Sequence, residues 1–336
     1  MANIISLLLG GLHQKLTRWL SPISALFGKF RAAEPSTLPR TDNTSAMGWI
    51  HWFGINKKAR AIFLVKFVHL FPSHCPNADA QSSLSPRDRI ASREITAETK
   101  LTTKIYIETR DSFIKKEYAP SERPKNTRGE PIIWKWGAER LQNEAAALAL
   151  IAKNTTIPVP KVLHCGKDQK GVMYLETEFI DGLVCSDAGD ECQMPQIHTS
   201  SPESACSECE KIAFENVNSF IDEVVIPQLT NLKSSQTGLN GIVIPPPRIQ
   251  EFDKRDIWSP KQASGEDYVF CHGDLSRHNI LVSYKTLEVI SIIDWECAGF
   301  FPKTFELPLW RLGRAEYLQT FREKDKIQQE IALITE

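Results

Sequence analysis

Between residues 269 and 294 the chain alternates apolar runs with polar residues in a pattern that strongly limits what it can fold into. Val269-Phe270-Cys271 continues an apolar β-like run from Tyr268, and Ile280-Leu281-Val282 begins another. The eight residues between them, His272-Gly273-Asp274-Leu275-Ser276-Arg277-His278-Asn279, form a polar loop tied at both ends to apolar strands. A hairpin-length gap later, Val289-Ile290-Ser291-Ile292-Ile293 delivers Asp294 at the end of a third apolar run.

His272, Asp274 and Asn279 make the pattern H-x-D-x-x-x-x-N, the spacing of a kinase-type catalytic loop. In such a loop the Asp sits beside an attacking hydroxyl and accepts its proton. The Asn, five residues on, offers a side-chain oxygen to magnesium. Asp294 is placed to bind metal that bridges nucleotide phosphates. Magnesium takes hard oxygen ligands and keeps several waters, so one Asp and one Asn suffice beside phosphates. An Asp after an apolar strand often only caps a turn; both elements together, in this order, are hard to assign to packing alone.

His-Gly-Asp-Leu-x-x-x-Asn-Ile-Leu-Val, from His272 to Val282, and Ile-Ile-Asp-Trp-Glu-x-Ala-Gly-Phe-x-Pro, from Ile292 to Pro302, resemble the aminoglycoside phosphotransferase family in the form common among its fungal members. The resemblance covers roughly residues 100–336 and is most specific in the last third. It implies an α+β, two-lobed, protein-kinase-like fold with a small strand-rich N-lobe and a mainly helical C-lobe, ATP lying between them. The family's catalytic base maps to Asp274 and its metal ligands to Asn279 and Asp294, with His272 organising the loop. Trp134-Lys135-Trp136-Gly137 resembles the strand whose lysine binds ATP phosphates, and Glu144 is placed to pair with Lys135. Glu178, Phe179 and Ile180 occupy the place of the inter-lobe hinge against adenine.

The rest of the chain supplies a framework of expectations. Lys104–Glu108, Ser112–Tyr118 and Pro131–Gly137 read as strands, and Ala138–Lys153 as a helix of strong propensity. Val162–Cys165 and Val172–Ile180 read as strands around a Lys167–Gly171 turn, and Asp181–Glu210 as a flexible polar insertion. Ile212–Leu232 has helical spacing. The implied division is an atypical, partly disordered extension over 1–95, an ATP-binding N-lobe over 96–180 and a substrate-binding C-lobe over 181–336. Ser73–Glu98 reads as a linker. No glycine-rich loop lies between residues 100 and 131, so phosphate coverage would come from a hairpin without those glycines.

A net charge of −1 gives no general drive toward nucleic acid or anionic membrane. Eight scattered cysteines in a chain of 336 residues read as thiols in a reducing, cytoplasmic setting rather than as a disulfide framework. Cys206 and Cys209 form one C-x-x-C, but no second pair or spaced histidine pair completes a zinc site, so the pair reads as chance. No run approaches the roughly 20 apolar residues of a membrane span. Residues 1–33 are basic and free of acids, which suits a mitochondrial presequence or a membrane-surface helix as well as a featureless extension. The reading that follows is an ATP- and Mg²⁺-dependent phosphotransferase acting on a small-molecule hydroxyl. The alternative is a kinase-fold pseudoenzyme that binds nucleotide or a partner. His278 is expected to face solvent, and Trp295 and Phe300 to serve packing. The acceptor and the oligomeric state are not legible.

Overall fold

Strands alternating around one long helix build the first part of the described chain, in a computed structural model that describes residues 94–198, 201 and 204–335. The expectations for residues 1–93 lie outside these described residues. Five antiparallel strands, β1 (Ile95–Lys100), β2 (Lys104–Thr109), β3 (Ser112–Glu117), β4 (Val162–Lys167) and β5 (Met173–Glu178), form one sheet in the order β1-β2-β3-β5-β4. β1 overlaps the end of the expected linker. It is an edge strand, mostly exposed, paired to β2 through its backbone, so its polar sequence carries no burial signal.

Helix α1 (Gly137–Asn154) crosses this sheet. Its buried stripe, Arg140, Leu141, Glu144, Ala147, Leu148 and Ile151, follows the helical period. Leu141 meets Met173 and Leu175 of β5, while Ala147, Leu148 and Ile151 enter the main core. Burying a leucine or isoleucine contributes about 1.5–3 kcal/mol. The apolar half of α1 therefore anchors it, leaving its first two turns to carry polar groups inward.

The strand expected over Pro131–Gly137 does not form. Pro131 makes an isolated bridge with Lys125, and Trp136 adopts left-handed backbone (φ 55°) immediately before α1. The turn that starts the helix takes these residues out of any ladder.

After β5 the chain crosses to β6 (Leu183–Val184), which pairs with β9 (Ile280–Val282); β9 pairs in turn with β10 (Val289–Ile292). A second small sheet joins β7 (Lys233–Ser234), β8 (Tyr268–Cys271) and β11 (Gly299–Phe301). Helices α2 (Ser207–Phe220) and α3 (Ile226–Asn231) run nearly end to end through a π-helical turn at Ile221–Val225. Pro227 follows that turn at once; lacking an N–H, it cannot continue the regular i→i−4 ladder. Short α4 (Pro247–Phe252), α5 (Arg314–Thr320) and α6 (Lys324–Thr335) complete this mainly helical half. Together the halves make a two-lobed, kinase-like α+β fold. Among the described residues no helix is long and apolar enough to cross a membrane.

The described residues of the segment read as a flexible insertion are packed. Cys185, Ala188, Cys192, Cys206 and Cys209 are all buried in the main core. Cys206 and Cys209 begin the buried stripe that continues through Ala213 and Val217 of α2, whereas Cys185, Ala188 and Cys192 lie in short turns amid polar sequence.

Candidate active site

The loop after β8 is held by its own backbone and by the β9–β10 hairpin. Gly273 has φ 82°, and a Cβ there would lie 3.0 Å from the Cys297 carbonyl oxygen. Only glycine takes this turn without strain. His272 donates from Nε2 to the Ile293 carbonyl (3.0 Å) and accepts the Asp274 N–H at Nδ1 (3.3 Å). Burial lowers its pKa, against the pull of Asp274, which suits the neutral ring this bonding requires. His272 thus ties the loop to the strand end that presents Asp294.

Asn279 Nδ2 donates to the Asp274 carbonyl (2.8 Å) and lies 3.3 Å from Asp274 Oδ2. With its nitrogen engaged in the loop, the amide oxygen is the atom left to meet a cation. The Ile293 N–H bonds to the Asn279 carbonyl at 2.9 Å, so Asn279 and Asp294 are held side by side by the hairpin. Asp274 is 4% exposed, and its Oδ1 accepts the phenolic hydrogen of Tyr317 at 3.0 Å. Gly273, Pro247, Arg248, Leu309, Thr320 and Phe321 line the recess around this pair. His278 does not face solvent: it is buried, 2.8 Å from Ser276 Oγ and 3.5 Å from Asp274 Oδ2.

The lysine that reaches this site is Lys115 on β3, not Lys135. Lys115 Nζ lies 2.8 and 2.9 Å from the two oxygens of Glu144 and 2.5 Å from Asp294 Oδ1. Lys135 precedes α1 in the irregular turn and points the other way, donating to the carbonyls of Lys254 (2.6 Å) and Arg255 (2.5 Å) beside Asp256. The expected pairing of Lys135 with Glu144 is therefore absent. The available signal was a lysine in a strand followed by a helix bearing Glu144. Both Lys115 and Lys135 satisfy it, and only the loop at 131–136 separates them.

Burial acts to raise the Asp294 carboxyl, but Lys115 and Lys104 outweigh it and hold the group well below the usual carboxylate range. Burial would discharge Lys115; Asp294 and Glu144 keep it charged, well above its ordinary pKa. Glu144 is pushed up to about 7 by burial, opposed by Lys115. The ion pair is thus carried chiefly by Lys115 and Asp294.

A second buried set fixes the turn after Asp294. Glu296 accepts from Lys104 Nζ (3.2 Å) and from Arg140 Nη1 (2.9 Å), while Asn143 Nδ2 donates to the carbonyls of Glu296 (3.1 Å) and Ala298 (2.7 Å). The polar turns of α1 and the start of β2 thereby clamp one half of the protein to the other. Nothing in the sequence motif marked Arg140, Asn143 or Lys104. Trp295 is fully buried against Phe270, and Phe300 packs on the same core. Glu178 and Phe179 bond through their backbones to Lys161 and Asp111, and with Ile180 they span the crossing from β5 to β6.

Residues 241–323 match the family described as the phosphotransferase enzyme family. The resemblance read from the sequence holds over that stretch. It contains Asp274, Asn279 and Asp294 and ends before the chain does. No curated protein sequence matches the chain. Among solved structures it is similar to the GDP and kanamycin complex of APH(2'')-IIIa, at 15% identity and a TM-score of 0.33, over 72% of this chain and 84% of that one. It is also similar to a thermostable mutant of the aminoglycoside phosphotransferase APH(4)-Ia with AMP-PNP and hygromycin B, at 12% identity and a TM-score of 0.39, over 74% and 84%. At such scores these likenesses add nothing to what the chain's own geometry supports.

Proposed function

We propose that the protein is an ATP- and Mg²⁺-dependent phosphotransferase that phosphorylates a hydroxyl of a small molecule. The observation that carries this reading is the convergence, from four separate elements, of Lys115, Glu144 and Asp294 beside the Asp274–Asn279 loop. The donor set suits magnesium, since Asn279 and Asp294 offer hard oxygens. Bound magnesium would neutralise charge on the phosphates. Asn279 and Asp294 would hold it, and Lys115, kept charged and positioned by Glu144, would bind phosphate oxygens. Asp274 Oδ1 would take the hydrogen bond of the acceptor hydroxyl in place of Tyr317 and receive its proton. Glu178, Phe179 and Ile180, at the crossing between the lobes, would present backbone groups to adenine. Most of the rate would come from positioning and electrostatics. The family resemblance makes aminoglycoside-like polyols one class of acceptor to screen.

The test is calorimetry of ATP binding with and without magnesium, on the wild type and Asp294→Ala, followed by turnover with Asp274→Asn. Magnesium-dependent binding that Asp294→Ala abolishes, with turnover lost in Asp274→Asn, is the expected result. No nucleotide binding to folded wild type would sink the reading. The turn joining β1 to β2, Leu101-Thr102-Thr103, contains no glycine and favours a second reading, a pseudoenzyme that binds nucleotide without efficient turnover. Magnesium-dependent binding without transfer to any acceptor or water would favour it.

A further inference from the structure

The packed segment between the lobe crossing and α2 brings four metal-binding side chains to one point. The ligand atoms of Cys192, His198, Cys206 and Cys209 all lie within 4.8 Å of one another. His198 Nδ1 is 3.3 Å from the sulfurs of Cys206 and Cys209 and 3.7 Å from that of Cys192. One nitrogen and three sulfurs around a tetrahedral zinc, at bond lengths of about 2.0–2.1 and 2.3 Å, stand roughly 3.5 Å apart (N–S) and 3.8 Å apart (S–S). The three N–S distances therefore match a zinc cage, and every sulfur pair lies within 4.8 Å.

Packing alone explains this less well. Buried cysteines often act as small apolar residues, and Cys185 in the same core does so. An imidazole nitrogen facing three sulfurs is different, because one N–H or lone pair can serve only one of them. All four side chains are buried, with the His198 side chain 6% exposed, and none of the three cysteines is in a disulfide. Burial pushes the Cys209 thiol up to about 11, so thiolates here need the cation itself, and two local features add to it. The Gln193 backbone N–H donates to Cys209 Sγ at 3.3 Å. Cys206 sits at the N-cap of α2 and Cys209 in its first turn, where aligned peptide dipoles favour negative charge. The nearby carboxylate, Glu208, is 61% exposed and 3.8 Å from His198 Nδ1, outside the cage.

We propose that Cys192, His198, Cys206 and Cys209 form a closed, four-coordinate Zn²⁺ site. The pattern is C-x₅-H-x₇-C-x₂-C, so the C-x-x-C dismissed as chance in the sequence is half of a cage whose other half comes from the preceding loop. Three thiolates and one imidazole in tetrahedral array select zinc over hard cations. Four protein ligands leave no open position, so the ion is structural rather than catalytic. On binding, the three S–H protons pass to solvent, three S–Zn bonds and one N–Zn bond form, and no electrons change hands. The ion staples a stretch of chain whose turn at Cys185–Asp187 packs on the turn at Arg277–Asn279, so it braces the loop carrying Asp274 and Asn279. The site stands whether or not the protein transfers phosphate.

The experiment is metal analysis of the full, tag-free chain after dialysis against metal-free buffer. One zinc per chain is expected, falling to background in His198→Ala and Cys209→Ser and unchanged in Cys165→Ser, whose thiol lies in β4. Because the cage variants can fail to fold, the wild type is also loaded with Co²⁺. Intense visible d–d bands with sulfur-to-cobalt charge transfer would support tetrahedral thiolate ligation. Folded wild type with only substoichiometric metal and no such spectrum would overturn the proposal. So would stoichiometric iron in place of zinc, or a disulfide among these cysteines in the native protein.

Discussion

The phenolic hydroxyl of Tyr317 donates to Asp274 Oδ1 at 3.0 Å, the oxygen that the acceptor hydroxyl would have to reach. Tyr317 lies on the short helix α5, its ring edge-on to His278 and to Phe321. Burial and the neighbouring Asp274 carboxylate both raise its pKa well above the ordinary value, so the phenol stays protonated and remains a donor. An acceptor must displace this bond. Tyr317→Phe should lower KM by roughly tenfold or more, consistent with a hydrogen bond to a charged group of about 1.5–3 kcal/mol, with kcat largely kept. Steady-state kinetics would check this, and a kcat loss beyond a hundredfold would make Tyr317 a participant rather than a competitor.

Lys115 and Lys135 offer a clean contrast. Lys115→Met leaves Glu144 and Asp294 as neighbouring buried carboxylates with no cation between them. Such a break in a buried pair costs about 3–5 kcal/mol, and Mg-ATP affinity should fall by more than tenfold. Lys135→Met removes a half-exposed contact and should change stability by less than about 1 kcal/mol, with nucleotide affinity unaltered. Urea melts together with nucleotide calorimetry on both variants would check the pair.

The clamp on Glu296 should be as sensitive as the site itself. Arg140→Met leaves Glu296 with Lys104 as its remaining cation and removes one of the ties from α1. A loss of about 2–4 kcal/mol is expected. If Arg140 only fills space, the isosteric loss would be under 1 kcal/mol in denaturant melts.

Glu306 gives a pH prediction. Its carboxylate accepts the backbone N–H groups of His272 and Gly273, but its other oxygen, Oε1, is buried with no partner among the described residues. Burial pushes its pKa up to about 7, against the lowering effect of those N–H groups. A raised carboxyl pKa means the native state holds a proton that the unfolded chain has already released. Stability contributed there is present below the unfolded value near 4.5 and is lost as pH rises to about 7, with no further change above it. Glu306→Gln should therefore be more stable than wild type at pH 8, by at most about 3 kcal/mol, and the gap should close by pH 5. Thermal melts at both values would show it, and a pH-independent gap would contradict it.

The loop at residues 272–279 was legible because its signal is local. His272, Gly273, Asp274 and Asn279 fall within eight residues of one another, and the apolar runs on either side mark the flanking strands. Helix α1 was legible for the same reason, through propensity and a 3.6-residue stripe. The choice between Lys115 and Lys135 was not, since each lies within reach of Glu144 along the sequence. Only the path of the loop at 131–136, turned by Trp136 and held against residues 254–256, sends one lysine inward and the other out. The same holds for the tetrad at 192–209, where no period joins Cys192 and His198 to Cys206 and Cys209. Sequence by itself determined which residues carry local geometry. Tertiary structure decided which distant side chains share a charge or a cage, because ion pairs and metal ligands are selected by distance in space.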